Sequence, residues 1–101
     1  MSRVIFTIEY EVKPEKRDEY LTIAKELKNI VKAEGLDEYT IFENCKKTNV
    51  FEEKYFFVDE QAYEEFDDIE DERIDILTNK LSDMIKETTT KYSVMKEVFE
   101  I

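Results

Sequence analysis

Residues 4–35 read VIFTIEYEVKPEKRDEYLTIAKELKNIVKAEG and carry two patterns in succession. Every second residue from Val4 to Val12 is apolar, which indicates a strand with one buried face. Pro14 suits the first turn of a helix, because the amide hydrogen that proline lacks would have no partner there. Apolar residues at spacings of three and four then run from Tyr20 to Val31 and predict an amphipathic helix. We expect Gly35 to end this helix as a left-handed C′ cap.

The rest of the chain repeats the strand–helix–strand order. Residues 36–44 and 51–58 predict a second and a third strand joined by a polar turn, and residues 92–101 predict a fourth. Asp59 is the expected N-cap of a second helical region, whose apolar stripe includes Ala62, Phe66 and Ile69. That stripe changes phase across residues 67–75, which predicts a kink or two helical segments. The order βαββαβ predicts an α+β, ferredoxin-like fold: a four-stranded antiparallel sheet with helices on one face.

The composition indicates one globular domain over residues 1–101. Hydrophobic residues make up 42% of the chain and aromatic residues 13%, so we expect a packed core despite 41% charged residues. No apolar run approaches the length of a membrane span, and the N-terminus shows no signal-peptide pattern. The chain has one cysteine, which agrees with a reducing compartment. We therefore expect a cytoplasmic protein.

The net charge of −11 is concentrated in one segment. Residues 59–75 include ten acidic residues and one basic residue. Such a surface repels phosphate groups, so we expect neither nucleic acid nor a membrane as a partner. The segment contains no D-x-D-x-D-G loop of the calcium-binding type, and we expect no metal site.

Apolar side chains on both faces of the third and fourth strands imply a covering surface on the side away from the helices. The simplest cover is a second copy of the chain, packed sheet to sheet as a dimeric α+β barrel. The predicted dimer-face residues are Ile5, Phe42, Phe56, Val58, Met95 and Phe99.

Nearly the whole chain resembles the antibiotic-biosynthesis-monooxygenase-like family of dimeric α+β barrels. The resemblance rests on four segments in order: Val12-Lys13-Pro14, Glu34-Gly35-Leu36, Tyr39-Thr40-Ile41-Phe42 and Phe57-Val58-Asp59-Glu60-Gln61-Ala62. It implies a homodimer that binds a small aromatic or apolar molecule. It also implies a cofactor-free oxygenase chemistry in which a phenolic or quinol-type substrate supplies the electrons. We expect no cofactor.

Two departures separate the chain from this family. Members often carry a tryptophan just before the second helix and a histidine within it, and the matching positions here are Phe57 and Phe66. The chain has no histidine, so haem degradation or chlorite-dismutase-like chemistry through a histidine ligand is not expected. The stress-responsive A/B barrel family shares the architecture and remains a near neighbour.

Without histidine, a general base near neutral pH must be a carboxylate, a tyrosine or a lysine. Glu9 and Glu97 would lie inside a dimer barrel, where burial would raise the pKa of each carboxyl; otherwise they lie at a wet edge. Aromatic residues on the helix-facing side are either core or pocket. The predicted pocket residues are Tyr10, Tyr39, Tyr55, Phe57, Tyr63 and Phe66. Three functions stay open: a ligand-binding dimer, a cofactor-independent monooxygenase, and a non-catalytic dimerisation or regulatory module.

Overall fold

A computed structural model describes residues 2–66 and 71–99 of the chain. The strands are β1 (Val4–Glu11), β2 (Leu36–Glu43), β3 (Val50–Phe57) and β4 (Lys91–Lys96). The helices are α1 (Arg17–Ile30), α2 (Glu60–Glu64) and α3 (Glu72–Ser82), and a 3-10 turn (Pro14–Lys16) precedes α1. Ile69 and Ile101, predicted in an apolar stripe and in the last strand, lie outside the described residues.

The four strands form one antiparallel sheet in the order β2-β3-β1-β4. The register places Phe6 of β1 between Tyr55 of β3 and Val94 of β4. Two strands that are adjacent in sequence, β2 and β3, form the hairpin predicted from the polar turn. The α+β, ferredoxin-like fold predicted from the sequence is confirmed.

The core lies between one face of the sheet and the helices. Helix α1 buries Tyr20, Ile23, Ala24 and Leu27, as its spacing predicts. These side chains pack in one cluster with residues of the sheet and of α3. The sheet and α3 contribute Tyr10, Val12, Tyr39, Phe51, Leu77 and Leu81.

The predicted role of Gly35 as a C′ cap is wrong. Helix α1 ends at Ile30, the backbone of Val31 is already extended, and Gly35 lies in the following turn with φ of +82°. A Cβ atom at this position would lie 2.6 Å from Cβ of Ala62 in α2. Glycine is therefore needed both for its left-handed backbone and for the close approach of α2 to this turn.

Within its described residues, the second helical region contains two α-helices, α2 and α3, as the change of phase predicted. Oδ1 of Asp59 accepts a hydrogen bond of 2.8 Å from the amide of Ala62, which confirms Asp59 as an N-cap. Strand β4 is shorter than predicted and ends at Lys96. The Glu97 amide still donates a hydrogen bond to the Arg3 carbonyl. Because β1 begins only at Val4, however, β4 has no strand to pair with beyond Lys96. Val98 and Phe99 are 80% and 84% exposed.

The sheet face away from the helices is apolar at one end only. Phe56, Ile5 and Met95 lie side by side on β3, β1 and β4. The next row of that face holds Lys54, Thr7 and Ser93. The row after it holds Phe42, Glu52, Glu9 and Lys91, so one polar row separates the predicted dimer-face residue Phe42 from the apolar end.

The remaining predicted dimer-face residues, Val58 and Phe99, follow β3 and β4 and are exposed. No helix among the described residues is both long enough and apolar enough to cross a membrane.

Candidate ligand-binding site

A cavity of about 360 Å³ lies between the sheet and α3, bordered by the segment that joins α3 to β4. Its apolar side chains are Ile8 of β1, Leu81 of α3, Tyr92 of β4 and Ile85, which lies in the segment between α3 and β4. The other lining residues are Tyr10, Glu53, Thr78, Ser82, Lys86, Glu87, Thr88 and Thr90. The cavity thus combines apolar side chains from the sheet and α3 with polar groups from the same elements and from residues 86–90.

Residues 85–90 are hydrogen-bonded to the end of β1. Ile85 forms an isolated bridge with Val12, and the Lys86 amide donates to the Glu11 carbonyl at 2.8 Å. The Thr89 hydroxyl donates to the Lys86 carbonyl at 2.7 Å and accepts from the Glu11 amide at 3.1 Å. Thr88, between these anchors, has φ of +65°, a strained conformation for a β-branched residue. The hydrogen bonds to the end of β1 therefore fix the conformation of residues 85–90 where they border the cavity.

Glu53 is a buried carboxylate in the wall of the cavity. It lies on the helix-facing side of β3 and is only 7% exposed. The Tyr10 hydroxyl donates to Oε2 at 2.8 Å, and the Tyr39 hydroxyl donates to Oε1 at 2.5 Å. The Tyr20 hydroxyl lies 2.8 Å from that of Tyr10. Because the single hydroxyl hydrogen of Tyr10 points to Glu53, Tyr20 must be the donor to Tyr10. Each oxygen of the buried carboxylate therefore accepts one hydrogen bond from a tyrosine.

Burial dominates the acid–base properties of this cluster. It raises the pKa of the Glu53 carboxyl, and hydrogen bonds from the tyrosine hydroxyls oppose that rise only in part. Burial, followed by the charge of Glu53, also raises the pKa of Tyr10 and of Tyr39. Burial raises the pKa of Tyr20 as well. The phenols therefore keep their protons and remain donors.

No described lysine or arginine forms an ion pair with Glu53. Lys54, its neighbour in sequence, lies on the opposite face, where it contacts Glu52 and donates to the Thr7 hydroxyl. Lys86 borders the cavity, but its Nζ lies 2.7 Å from Oε2 of Glu11. Glu53 is hydrogen-bonded without being charge-compensated.

The sequence matches no protein-family model and no curated protein. Solved structures match over nearly their whole lengths. A conserved protein from Methanosarcina mazei has a TM-score of 0.78 at 19% identity, covering 97% of this chain and 95% of that chain. An antibiotic biosynthesis monooxygenase has a TM-score of 0.70 at 17% identity, covering 97% and 99%. A candidate antibiotic biosynthesis monooxygenase from Nitrosomonas europaea has a TM-score of 0.77 at 10% identity, covering 96% and 91%.

The chain has the antibiotic biosynthesis monooxygenase-like fold. At these identities the likeness concerns the fold, and it agrees with the resemblance seen in the sequence.

Within this monooxygenase-like fold, the predicted pocket residues fall into two groups. Tyr10, Tyr39 and Tyr55 lie close to Glu53, with the rings of Tyr39 and Tyr55 at 4.7 Å between centroids. Of the predicted six, only Tyr10 borders the cavity described above.

The other three predicted pocket residues pack together beside α2. Phe57 lies 5.7 Å from Tyr63 and 5.0 Å from Phe66, measured between ring centroids. Phe57 is 1% exposed, which makes it part of the protein interior. A ligand-binding role for this second group stays a prediction.

Glu53 was missed in the sequence, and the expected carboxylates lie elsewhere. Glu97 does not have a raised pKa: a hydrogen bond from the Arg3 guanidinium, at 2.8 Å, lowers it. The sequence did contain a signal for Glu53. It lies between Phe51 and Tyr55 on one face of the third strand, and the other residues of that face are aromatic. A polar residue at such a position is buried whenever its apolar neighbours are.

Among the described residues, no group of three or more histidine, cysteine, aspartate or glutamate side chains is arranged to hold a metal ion.

Proposed function

We propose that this chain binds a small, largely apolar aromatic molecule in the cavity between the sheet and α3, and that it acts as a homodimer. The observation that carries the proposal is the cavity itself, in which a buried carboxylate lies beside apolar side chains from the sheet and α3. Apolar walls supply affinity, and a few fixed polar groups orient the ligand. The apolar surface is provided by Ile8, Leu81 and Tyr92. The polar groups that would orient the ligand are Glu53 and Tyr10.

The same cavity speaks against a module that serves only for dimerisation. Such a module needs a packed core and an interface, and it gains nothing from a solvent-open cleft that reaches a buried carboxylate. A volume of about 360 Å³ lies within the range of small-molecule sites, roughly 300–1,000 Å³. It accommodates a molecule of one or two aromatic rings.

Binding is tested by native mass spectrometry of freshly purified protein, followed by denaturing analysis of any compound that accompanies it. Titration with one- and two-ring aromatic compounds, followed by tyrosine fluorescence, gives dissociation constants. Leu81→Trp, which fills the cavity, should weaken binding. Leu21→Trp, on the outer side of α1 where Leu21 is 42% exposed, is the matched control. Equal affinities of the two variants would contradict a ligand site in this cavity.

A cofactor-independent monooxygenase is the second candidate, favoured by the likeness in fold to a protein named as an antibiotic biosynthesis monooxygenase. It is tested by aerobic incubation with hydroquinones and polycyclic phenols, with oxygen consumption and product mass as readouts. Intact substrates across the panel would eliminate the oxygenase and leave the binding function in place.

A further inference from the structure

No opposite charge is paired with Glu53 among the residues that the structure describes. Tyr10 and Tyr39 satisfy the two carboxylate oxygens, but a hydroxyl donor does not neutralise a charge. A buried ion without an opposite charge is strongly unfavourable, by several kcal/mol for an ion of this size. Two tyrosines, from β1 and β2, nevertheless donate to this one carboxylate, and Tyr20 of α1 donates to the first of them, Tyr10. Packing alone would be better served by an apolar residue at position 53.

The other charged groups of the cavity leave it negative. Glu87 borders the cavity and forms no ion pair among the described residues. Lys86 also borders it, but its ammonium group is paired with Glu11 at 2.7 Å. The rings of Tyr10 and Tyr92 also line the cavity. Two carboxylates and two aromatic rings thus face a space that contains no free cation from the described residues.

We propose that the ligand of this cavity is an organic cation: an arylalkyl amine, whose amino group is carried on an alkyl carbon attached to the aromatic ring and whose ammonium group pairs with Glu53. This inference rests on the proposed function, because it names the chemical class that the cavity takes. Carboxylates and aromatic rings together are the groups that recognise ammonium ions in proteins. The apolar wall of Ile8 and Leu81 receives the hydrocarbon part of the same molecule. The net charge of −11 attracts cations to the protein over longer distances.

Ligands of other charge fit the cavity less well. An anion would face the carboxylates of both the buried Glu53 and the exposed Glu87, which line the cavity. A neutral hydroxyl compound would donate a hydrogen bond to Glu53 but leave its charge uncompensated. An ammonium group both donates to the carboxylate and balances its charge, so of these three ligand classes only the cation offsets the charge of the ionised Glu53.

The test is a series of probes that share one ring system and differ in charge. 1-Naphthylmethylamine, 1-naphthalenemethanol and 1-naphthoate carry a positive, a neutral and a negative substituent. Their dissociation constants are measured by calorimetry at neutral pH and moderate salt with the full chain. We expect the amine to bind at least about tenfold more tightly than the alcohol, the gain typical of a hydrogen bond to a charged group. Naphthoate should bind most weakly.

The variant Glu53→Gln keeps the shape of the side chain and removes its charge. It should reduce the affinity for the amine to that for the alcohol while leaving the affinity for the alcohol within about threefold, a change of under 1 kcal/mol. Glu52→Gln is the matched control, since it removes the same charge one residue away on the opposite face of β3. Glu52→Gln should keep the preference for the amine. Circular dichroism verifies that both variants are folded.

The outcomes separate the two proposals. If the wild type binds the alcohol or the naphthoate as tightly as the amine, the cation is wrong and the ligand-binding function stands. If the preference for the amine survives in folded Glu53→Gln, or is lost in Glu52→Gln, the assignment to Glu53 is wrong. If none of the three probes binds, the cavity is not a site for aromatic molecules of this size, and both proposals fail.

Discussion

The Tyr39 hydroxyl lies 2.5 Å from Oε1 of Glu53, although the two residues belong to different strands and are not paired in the register. Tyr39 of β2 faces Tyr55, and Glu53 faces Ile41, so the contact is a diagonal one across the hairpin. It brings an edge strand of the sheet into contact with the acid in the wall of the cavity. Tyr10 reaches the other oxygen from β1, on the opposite side of β3.

Removal of the Tyr39 hydroxyl should therefore destabilise the fold. Tyr39→Phe leaves one oxygen of the buried carboxylate without a donor, which costs about 1–3 kcal/mol in the free energy of unfolding. Tyr92→Phe is the control, because Tyr92 is 69% exposed and its loss of a hydroxyl should change stability by under about 0.5 kcal/mol. Urea denaturation measures both. Equal stability of the two variants would show that the contact of Tyr39 with Glu53 contributes nothing.

Replacement of Glu53 should change how stability depends on pH. The carboxyl ionises near pH 4.5 in the unfolded chain, and burial raises its pKa in the folded protein. The folded state therefore holds this proton more tightly, and the stability it contributes is present below pH 4.5 and lost as pH rises through the folded pKa. Glu53→Gln has no such loss.

The melting temperature of Glu53→Gln, relative to that of the wild type, should accordingly increase from pH 4 toward neutral pH. Calorimetry in a series of buffers measures this difference, in which contributions from the other groups cancel. Glu52→Gln, on the opposite face beside Lys54, is measured in parallel. A difference that does not vary with pH for Glu53→Gln, or the same trend for Glu52→Gln, would contradict a role for burial.

A third prediction concerns the turn that follows α1. Gly35→Ala places an L-residue at φ of +82° and a Cβ atom 2.6 Å from that of Ala62. The backbone conformation alone costs about 1–2 kcal/mol, and the steric contact adds to it. Ala62→Gly removes the contact at the cost of about 1 kcal/mol in helix α2.

The double variant should be more stable than the sum of the two single effects predicts, since the clash needs both Cβ atoms. Denaturant unfolding of all four proteins completes the cycle. Strict additivity would mean that only the backbone conformation, and not the approach of α2, requires glycine at position 35.

The fold could be predicted from the sequence because it depends on local patterns. The alternation from Val4 to Val12 and the helical stripe from Tyr20 each report one buried face, and the observed elements follow them. The role of Gly35 was misjudged, since the approach of Ala62 comes from a helix that lies 27 residues further along the chain.

The candidate site could be predicted only in part, because it depends on contacts between distant residues. The apolar pattern predicts the strand that contains Glu53, but it gives no indication that a polar residue of that strand is buried. Its donors come from β1 and β2, and the cavity beside it needs α3 and the segment after it. No spacing within one element reports such a convergence.

The last prediction tests the proposed homodimer. Met95 is 66% exposed and lies beside Ile5 on the sheet face away from the helices, in the row that also contains Phe56. An apolar row of this kind is stabilised when a second sheet covers it, because its surface is then removed from water. Met95→Glu places a charge in that row, and the protomer should tolerate it since the side chain contributes little to the core.

Light scattering coupled to size-exclusion chromatography measures the mass at micromolar concentration. We expect the wild type at twice the chain mass of 12.2 kDa and Met95→Glu at the chain mass. Val94→Glu is the matched control: its site is 49% exposed and precedes Met95 on β4 but points to the other face, so this variant should remain dimeric. A monomeric wild type would refute the homodimer. A dimeric Met95→Glu beside a monomeric Val94→Glu would place the interface on the helix-facing side of β4 instead, where it would lie next to Tyr92 and the cavity.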